Sequence, residues 1–168
     1  MTRTIEWLAI FGICIVGPIA SSAQTINVGT TSGLAGWTVP VSITVAPGTS
    51  TPVTAQNQIS YDPTKISIAT LANGSPDCTV SPSTGKSAGF AFLPAGCAGN
   101  LCNKVRAIVW NATNTTIPSG TLYTCKVKIG ASVSPGTYAL TNAAVQLVNG
   151  TATIVGTTGS SGSVTVVP

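Results

Sequence analysis

From Leu122 to Ile129 the chain alternates, with Tyr123, Cys125, Val127 and Ile129 on one side of an extended segment and Thr124, Lys126 and Lys128 on the other. A period of two is the mark of a strand with one face in a core. Short apolar or alternating stretches of this kind recur between clusters of Gly, Pro and Asn, and none repeats at helical spacing. The pattern predicts strands near 25–29, 37–45, 53–61, 66–71, 78–81, 88–93, 104–111, 121–129, 137–147 and 162–167. So many short strands separated by turn residues make an all-β, immunoglobulin-like sandwich. Ser134-Pro135-Gly136-Thr137 is a tight turn into Tyr138, and Thr157 to Gly162 is a flexible Gly/Ser/Thr connection before the last strand.

The N-terminus follows a different rule. Arg3 precedes an apolar run from Trp7 to about Ala20, broken by Pro18 and followed by small residues ending at Ala23. This is the pattern of a secretory signal peptide, with cleavage before Gln24, and the run is short for a membrane span. Ile13 stands before Cys14, where lipid attachment would need a small residue. The expected organisation is a signal segment at 1–23 and a single sandwich domain at 24–168, long enough to bury a real core.

Past residue 23 the charged side chains are Asp62 and Asp77 against Lys65, Lys86, Lys104, Arg106, Lys126 and Lys128, and the chain has no histidine. Acid–base or glycosidic chemistry needs two carboxylates, or a carboxylate and a histidine, across the reacting bond. Asp62 precedes Pro63 and Asp77 follows Pro76, both contexts that read as turns. A serine or cysteine nucleophile lacks its histidine, and two acids do not build a calcium or other metal site. The expectation is a protein without catalysis, metal or cofactor. The scattered basic residues form no run, which argues against nucleic acid as a partner.

Cys78, Cys97, Cys102 and Cys125 remain; a four-cysteine zinc site is the rival reading, but irregular spacing and an even count in an exported chain favour two disulfides, with three pairings open. Asn-x-Ser/Thr sequons begin at Asn73, Asn111, Asn114 and Asn149, matches that a Thr-rich chain produces easily by chance.

The order of INVGTTSGLAGWTVPVSITV, QISYDPTKISI, GTLYTCKVKIGASVSPGTYALT and a terminal GSVTVVP resembles a bacterial cohesin domain, over about residues 25–167. The shared features are a Gly-containing opening before Val-Pro-Val, a Tyr-Asp-Pro turn after a strand, and a Pro-Gly-Thr-Tyr turn near the end. The resemblance implies a jelly-roll of about nine strands in two sheets, and a dockerin-like protein as partner. It also implies Cys78 with Cys125 and Cys97 with Cys102, the first joining neighbouring strands and the second clasping a loop. The cysteines depart from the general cohesin pattern.

Cohesins meet dockerins on one sheet face, which maps onto Thr54, Gln56 and Gln58 and onto Arg106, Ile108 and Trp110. Alternation agrees, since Val53, Ala55, Ile59 and Tyr61 share one face, and Val105, Ala107 and Val109 another. Two readings of Trp110 stand side by side, exposed with Ile108 and Arg106 or buried. Trp37 reads as core. The leading expectation is an extracellular recognition module for a protein partner. The alternatives are a carbohydrate-binding module for a polysaccharide, and a structural subunit whose edges self-associate into a filament or coat. No second module or anchor follows in the chain, which shifts the expectation from cellulosome assembly toward adhesion or surface recognition.

Overall fold

A computed structural model describes residues 24–46 and 48–168; the signal segment expected at 1–23 lies outside the described residues. The alternating stretches become strands because each buries its apolar half against a facing sheet. In β3 (Thr38–Ala46), Val39, Val41, Ile43 and Val45 point inward; in β9 (Gly120–Ile129), Tyr123, Cys125, Val127 and Ile129 do the same. The two run antiparallel, with Val41 opposite Cys125 and Ile43 opposite Tyr123. β1 (Thr25–Val28) flanks β3, while β5 (Ile66–Ile68) and β6 (Cys78–Val80) pair with successive parts of β9, which completes the smaller sheet. Pro40 lies beyond the residues of β3 paired with β1, so its missing N–H costs no bond to that strand.

The larger sheet runs β2 (Thr30–Leu34), β12 (Gly162–Val167), β10 (Gly136–Asn149), β4 (Pro52–Ser60), β8 (Lys104–Trp110), β7 (Ser87–Leu93), and β11 (Ile154–Gly156) also pairs with β10. The fold is thus a two-sheet jelly-roll sandwich. The chain passes from one sheet to the other at Gly29, where a Cβ would come within 2.7 Å of the Ser42 carbonyl oxygen. Only glycine lets the backbones approach so closely. β2 then pairs in parallel with β12.

Between the sheets lies a core of aliphatic side chains around Tyr123, whose ring packs 5.3 Å from that of Phe90. One polar chain crosses this core. The Tyr123 hydroxyl donates to Asn57 Oδ1 (2.7 Å), Asn57 Nδ2 to Asn142 Oδ1 (2.9 Å), and Asn142 Nδ2 to the Ile26 carbonyl (2.7 Å). Strands β9, β4, β10 and β1 are thereby linked by groups that satisfy one another. Burial pushes the Tyr123 pKa up, against a smaller opposing effect of its bond to Asn57.

The four cysteines pair as Cys78–Cys125 and Cys97–Cys102. The first staples β6 to β9 at a directly opposed pair, and the second closes the loop between β7 and β8.

Several expectations need correction. Trp37 is 57% exposed rather than core: it follows Gly36, at φ +82°, at the end of a turn, and while its carbonyl accepts from the Ile129 amide of β9 its side chain is left to solvent. The strand expected over 66–71 ends at Ile68, because Ala69 to Asp77 folds back on itself through Leu71 N–H to Ser75 O and Asp77 N–H to Ala69 O. The apolar side of β4 includes a buried polar residue, Asn57, between Ala55 and Ile59, and Val53 is only half-buried. Twelve strands form among the described residues, since β2, β11 and the short β5 and β6 count separately.

Candidate binding face

Pleating sends alternate residues of β4 and β8 out of the larger sheet, and the register sets them side by side. Gln56 lies opposite Ile108, and Gln58 opposite Arg106. Outward from β8, β7 places Ser87 beside Trp110, Gly89 beside Ile108 and Ala91 beside Arg106. On the other flank β10 sets Val148 beside Thr54, Gln146 beside Gln56 and Ala143 beside Gln58. Thr54, Gln56, Gln58, Arg106, Ile108 and Trp110 therefore occupy one continuous outer surface. Arg106 and Trp110 are exposed, while Thr54, Gln56, Gln58 and Ile108 are half-buried.

Trp110 is 42% exposed, which decides between its two readings in favour of the surface. Its ring lies across the neighbouring edge strand, where a Cβ on Gly89 would come 3.2 and 3.3 Å from two indole carbons. An aromatic laid over an edge glycine fills the space that a missing side chain leaves and holds the ring flat. Ser87, Gly89 and Ala91 are small, so the indole stands above a low surround. These β7 residues were not singled out from the sequence, although the alternation of Ala88, Phe90 and Phe92 with them carries the signal.

The electrostatics of the face are one-sided. Lys104 and Arg106 project from β8, and no acid projects from β4, β7, β8 or β10. The two aspartates are engaged elsewhere. Asp62 Oδ1 accepts from the Thr64 amide (2.9 Å) and hydroxyl (2.7 Å), and these bonds hold its carboxyl below the ordinary aspartate value. Asp77 meets Lys126 at 3.0 Å. Below the face, buried Lys86 donates from Nζ to the carbonyl and hydroxyl oxygens of Thr115, tying the loop after Trp110 to the start of β7. Desolvation lowers the Lys86 pKa. No group of three or more His, Cys, Asp or Glu side chains suited to a metal occurs among the described residues.

This sandwich has the cohesin fold. The sixth cohesin of Acetivibrio cellulolyticus scaffoldin B, solved in complex with a Cel5 dockerin, superposes with a TM-score of 0.69 at 15% identity, covering 87% of this chain and 100% of that one. A Clostridium thermocellum type I cohesin–dockerin complex gives 0.69 at 11% identity, with 87% and 100% covered. A non-cellulosomal cohesin from the archaeon Archaeoglobus fulgidus gives 0.64 at 16% identity, with 88% and 93% covered. No family model and no curated protein matches the sequence.

Proposed function

We propose that the chain is a secreted, non-catalytic recognition module that docks a protein partner of the dockerin type on the outer face of β10, β4, β8 and β7. The observation that carries this reading is the Arg106–Ile108–Trp110 stripe, laid in register against Thr54, Gln56 and Gln58. Aromatic and arginine side chains dominate protein interfaces, and here Trp110, at the end of β8, and Arg106 stand on one outer surface among polar neighbours. Structural neighbours that carry dockerins on the same fold support the choice of partner. The cationic, acid-free face suits a partner that presents apolar side chains with carboxylates around them.

Secretion is supported by the leader-like pattern before Gln24 and by two disulfides, which persist in oxidising surroundings. No helix of the described residues is long and apolar enough to cross a membrane. Residues 24–168 act in this reading as one binding domain. Its chemistry is recognition, because one aspartate is committed to a turn and the other to an ion pair, and no histidine stands ready to move a proton.

Calorimetric titration of a panel of calcium-loaded dockerins encoded in the same genome tests the proposal. At least one should bind in the micromolar range or tighter, and Trp110→Ala should weaken it by about thirtyfold, the loss of an aromatic anchor. Arg106→Glu should weaken it as well, while cellulose should not deplete the protein from solution. A dockerin that binds wild type and Trp110→Ala equally would remove the face from consideration.

A further inference from the structure

The larger sheet ends at β7. This strand pairs with β8 over seven consecutive residues without a bulge, and among the described residues no strand pairs with its other side. Its one described backbone bond outside that ladder runs from the Asn103 N–H to the Leu93 carbonyl. An open edge presents unpaired N–H and C=O groups, and proteins ordinarily blunt it with a charge, a proline, a bulge or a very short strand. Ser-Ala-Gly-Phe-Ala-Phe-Leu has none of these. The borders of the smaller sheet differ, since β5 and β6 are three residues each and β1 is held by backbone bonds to Thr158 and Ser160.

Burial points the same way. On β8 the inward side chains Val105, Ala107 and Val109 are fully buried, whereas on β7 the inward Ala88, Phe90 and Phe92 are only half-buried, although they pack on the same core. Gly89 is half-buried without a side chain, so what solvent reaches there is backbone. The core is left open along this border, and one more strand would close it.

We propose that this edge pairs with the same edge of a second copy of the chain, β7 antiparallel to β7 about a twofold axis at Phe90. The size pattern of the strand selects a copy. With Phe90 on the axis, Ser87 stands opposite the partner's Leu93, Ala88 opposite the partner's Phe92 and Gly89 opposite the partner's Ala91, so that each off-axis pair sets a smaller side chain against a larger one. Inward residues meet inward ones and outward meet outward, as the pleat requires. The small alanine that meets Gly89 leaves the Trp110 indole in its place over that glycine. No charge enters the pair. Lys86 is buried on Thr115, and Lys104 and Arg106 stand one strand back, so that three strand spacings, roughly 14 Å, separate those of the two copies, beyond the screening length of physiological salt. The contact uses up the open edge on both copies, which makes a closed dimer rather than a filament. It needs nothing bound on the outer face, so either proposal can fail without the other.

Sedimentation equilibrium of residues 24–168 from about 1 µM to about 1 mM should show the mass climbing from one protomer toward two and no further, with a dissociation constant of about 100 µM for so small an interface. Ala91→Lys adds an exposed charge opposite Gly89 and diagonal to the same change in the partner, and it should weaken association by roughly tenfold. Ser87→Lys, at the exposed end of the strand, should weaken it as well, while Thr141→Lys, the same charge on exposed β10, should not. Amide exchange should slow with concentration at alternate residues of β7, those whose N–H groups point away from β8, and stay constant in β2 and β10. The proposal is overturned by the mass of one protomer at every concentration, by masses beyond two, or by a dimer that Ala91→Lys and Ser87→Lys leave intact. A dimer lost in Trp110→Ala with β7 exchange independent of concentration would also overturn it, since the contact would then lie on the outer face.

Discussion

The two disulfides close loops of very different length, and this difference fixes how much each should contribute to stability. Cys78 and Cys125 are 47 residues apart, Cys97 and Cys102 only five. Chain-entropy reasoning gives about 4 kcal/mol for the longer closure and about 2 kcal/mol for the shorter. The perturbation is a pair of double variants, Cys78→Ala/Cys125→Ala and Cys97→Ala/Cys102→Ala, each leaving the other bridge intact. Cys125 and Cys102 are both buried, so each variant loses comparable packing and the difference of about 2 kcal/mol survives the comparison. Urea denaturation at neutral pH measures both, and adding a reductant should bring wild type and variants close together. Loss of the long bridge should also have a local signature, because β6 is a three-residue strand held to β9 by three residue pairs and this bond. Amide exchange at Thr79 and Val80 should accelerate in the first variant and stay unchanged in the second. Equal losses from the two variants, or a larger loss from the short loop, would refute the entropic account.

Other perturbations have equally definite signs. Tyr123→Phe leaves buried Asn57 Oδ1 without its donor and should cost about 1–3 kcal/mol by urea denaturation. Tyr61→Phe removes a hydroxyl that donates to no acceptor, so it should cost less by urea denaturation than Tyr123→Phe. Gly89→Val occupies the space beneath the indole, and in residues 24–168 carrying Trp37→Phe, where Trp110 is the one tryptophan left, emission should shift to longer wavelength while the far-ultraviolet dichroism is unchanged. Asp62 has its pKa depressed in the folded protein, so its contribution to stability is present above the ordinary aspartate pKa and is lost as pH falls through the folded value. Thermal melts of Asp62→Asn should accordingly show a smaller fall on acidification than wild type.

β4 and β8, which carry the face, were legible because they alternate, as β9 does in the smaller sheet, and alternation is what half-burial requires. β2 was not, since Thr-Thr-Ser-Gly-Leu has no apolar rhythm and joins the sheet through backbone pairing with β12. Asn57 looked like one more polar residue of β4, and only the convergence of Tyr123 and Asn142 on it from distant parts of the chain reveals its place in the core. Lys86 was hidden in the same way, since its partner Thr115 lies on a loop that sequence periodicity does not describe. A cavity lined by Tyr61, Ile68, Phe92, Cys97 and Lys128 is assembled from separate segments, and no local pattern announces it.

The division of labour within β4 has an evolutionary side. Thr54, Gln56 and Gln58 can change freely as far as folding is concerned, because Ala55, Asn57 and Ile59 between them hold the strand in register and tie it to both sheets. If the face binds as proposed, a lineage can exchange partners by drift on the even-numbered positions of one strand while the odd-numbered ones keep the sandwich intact.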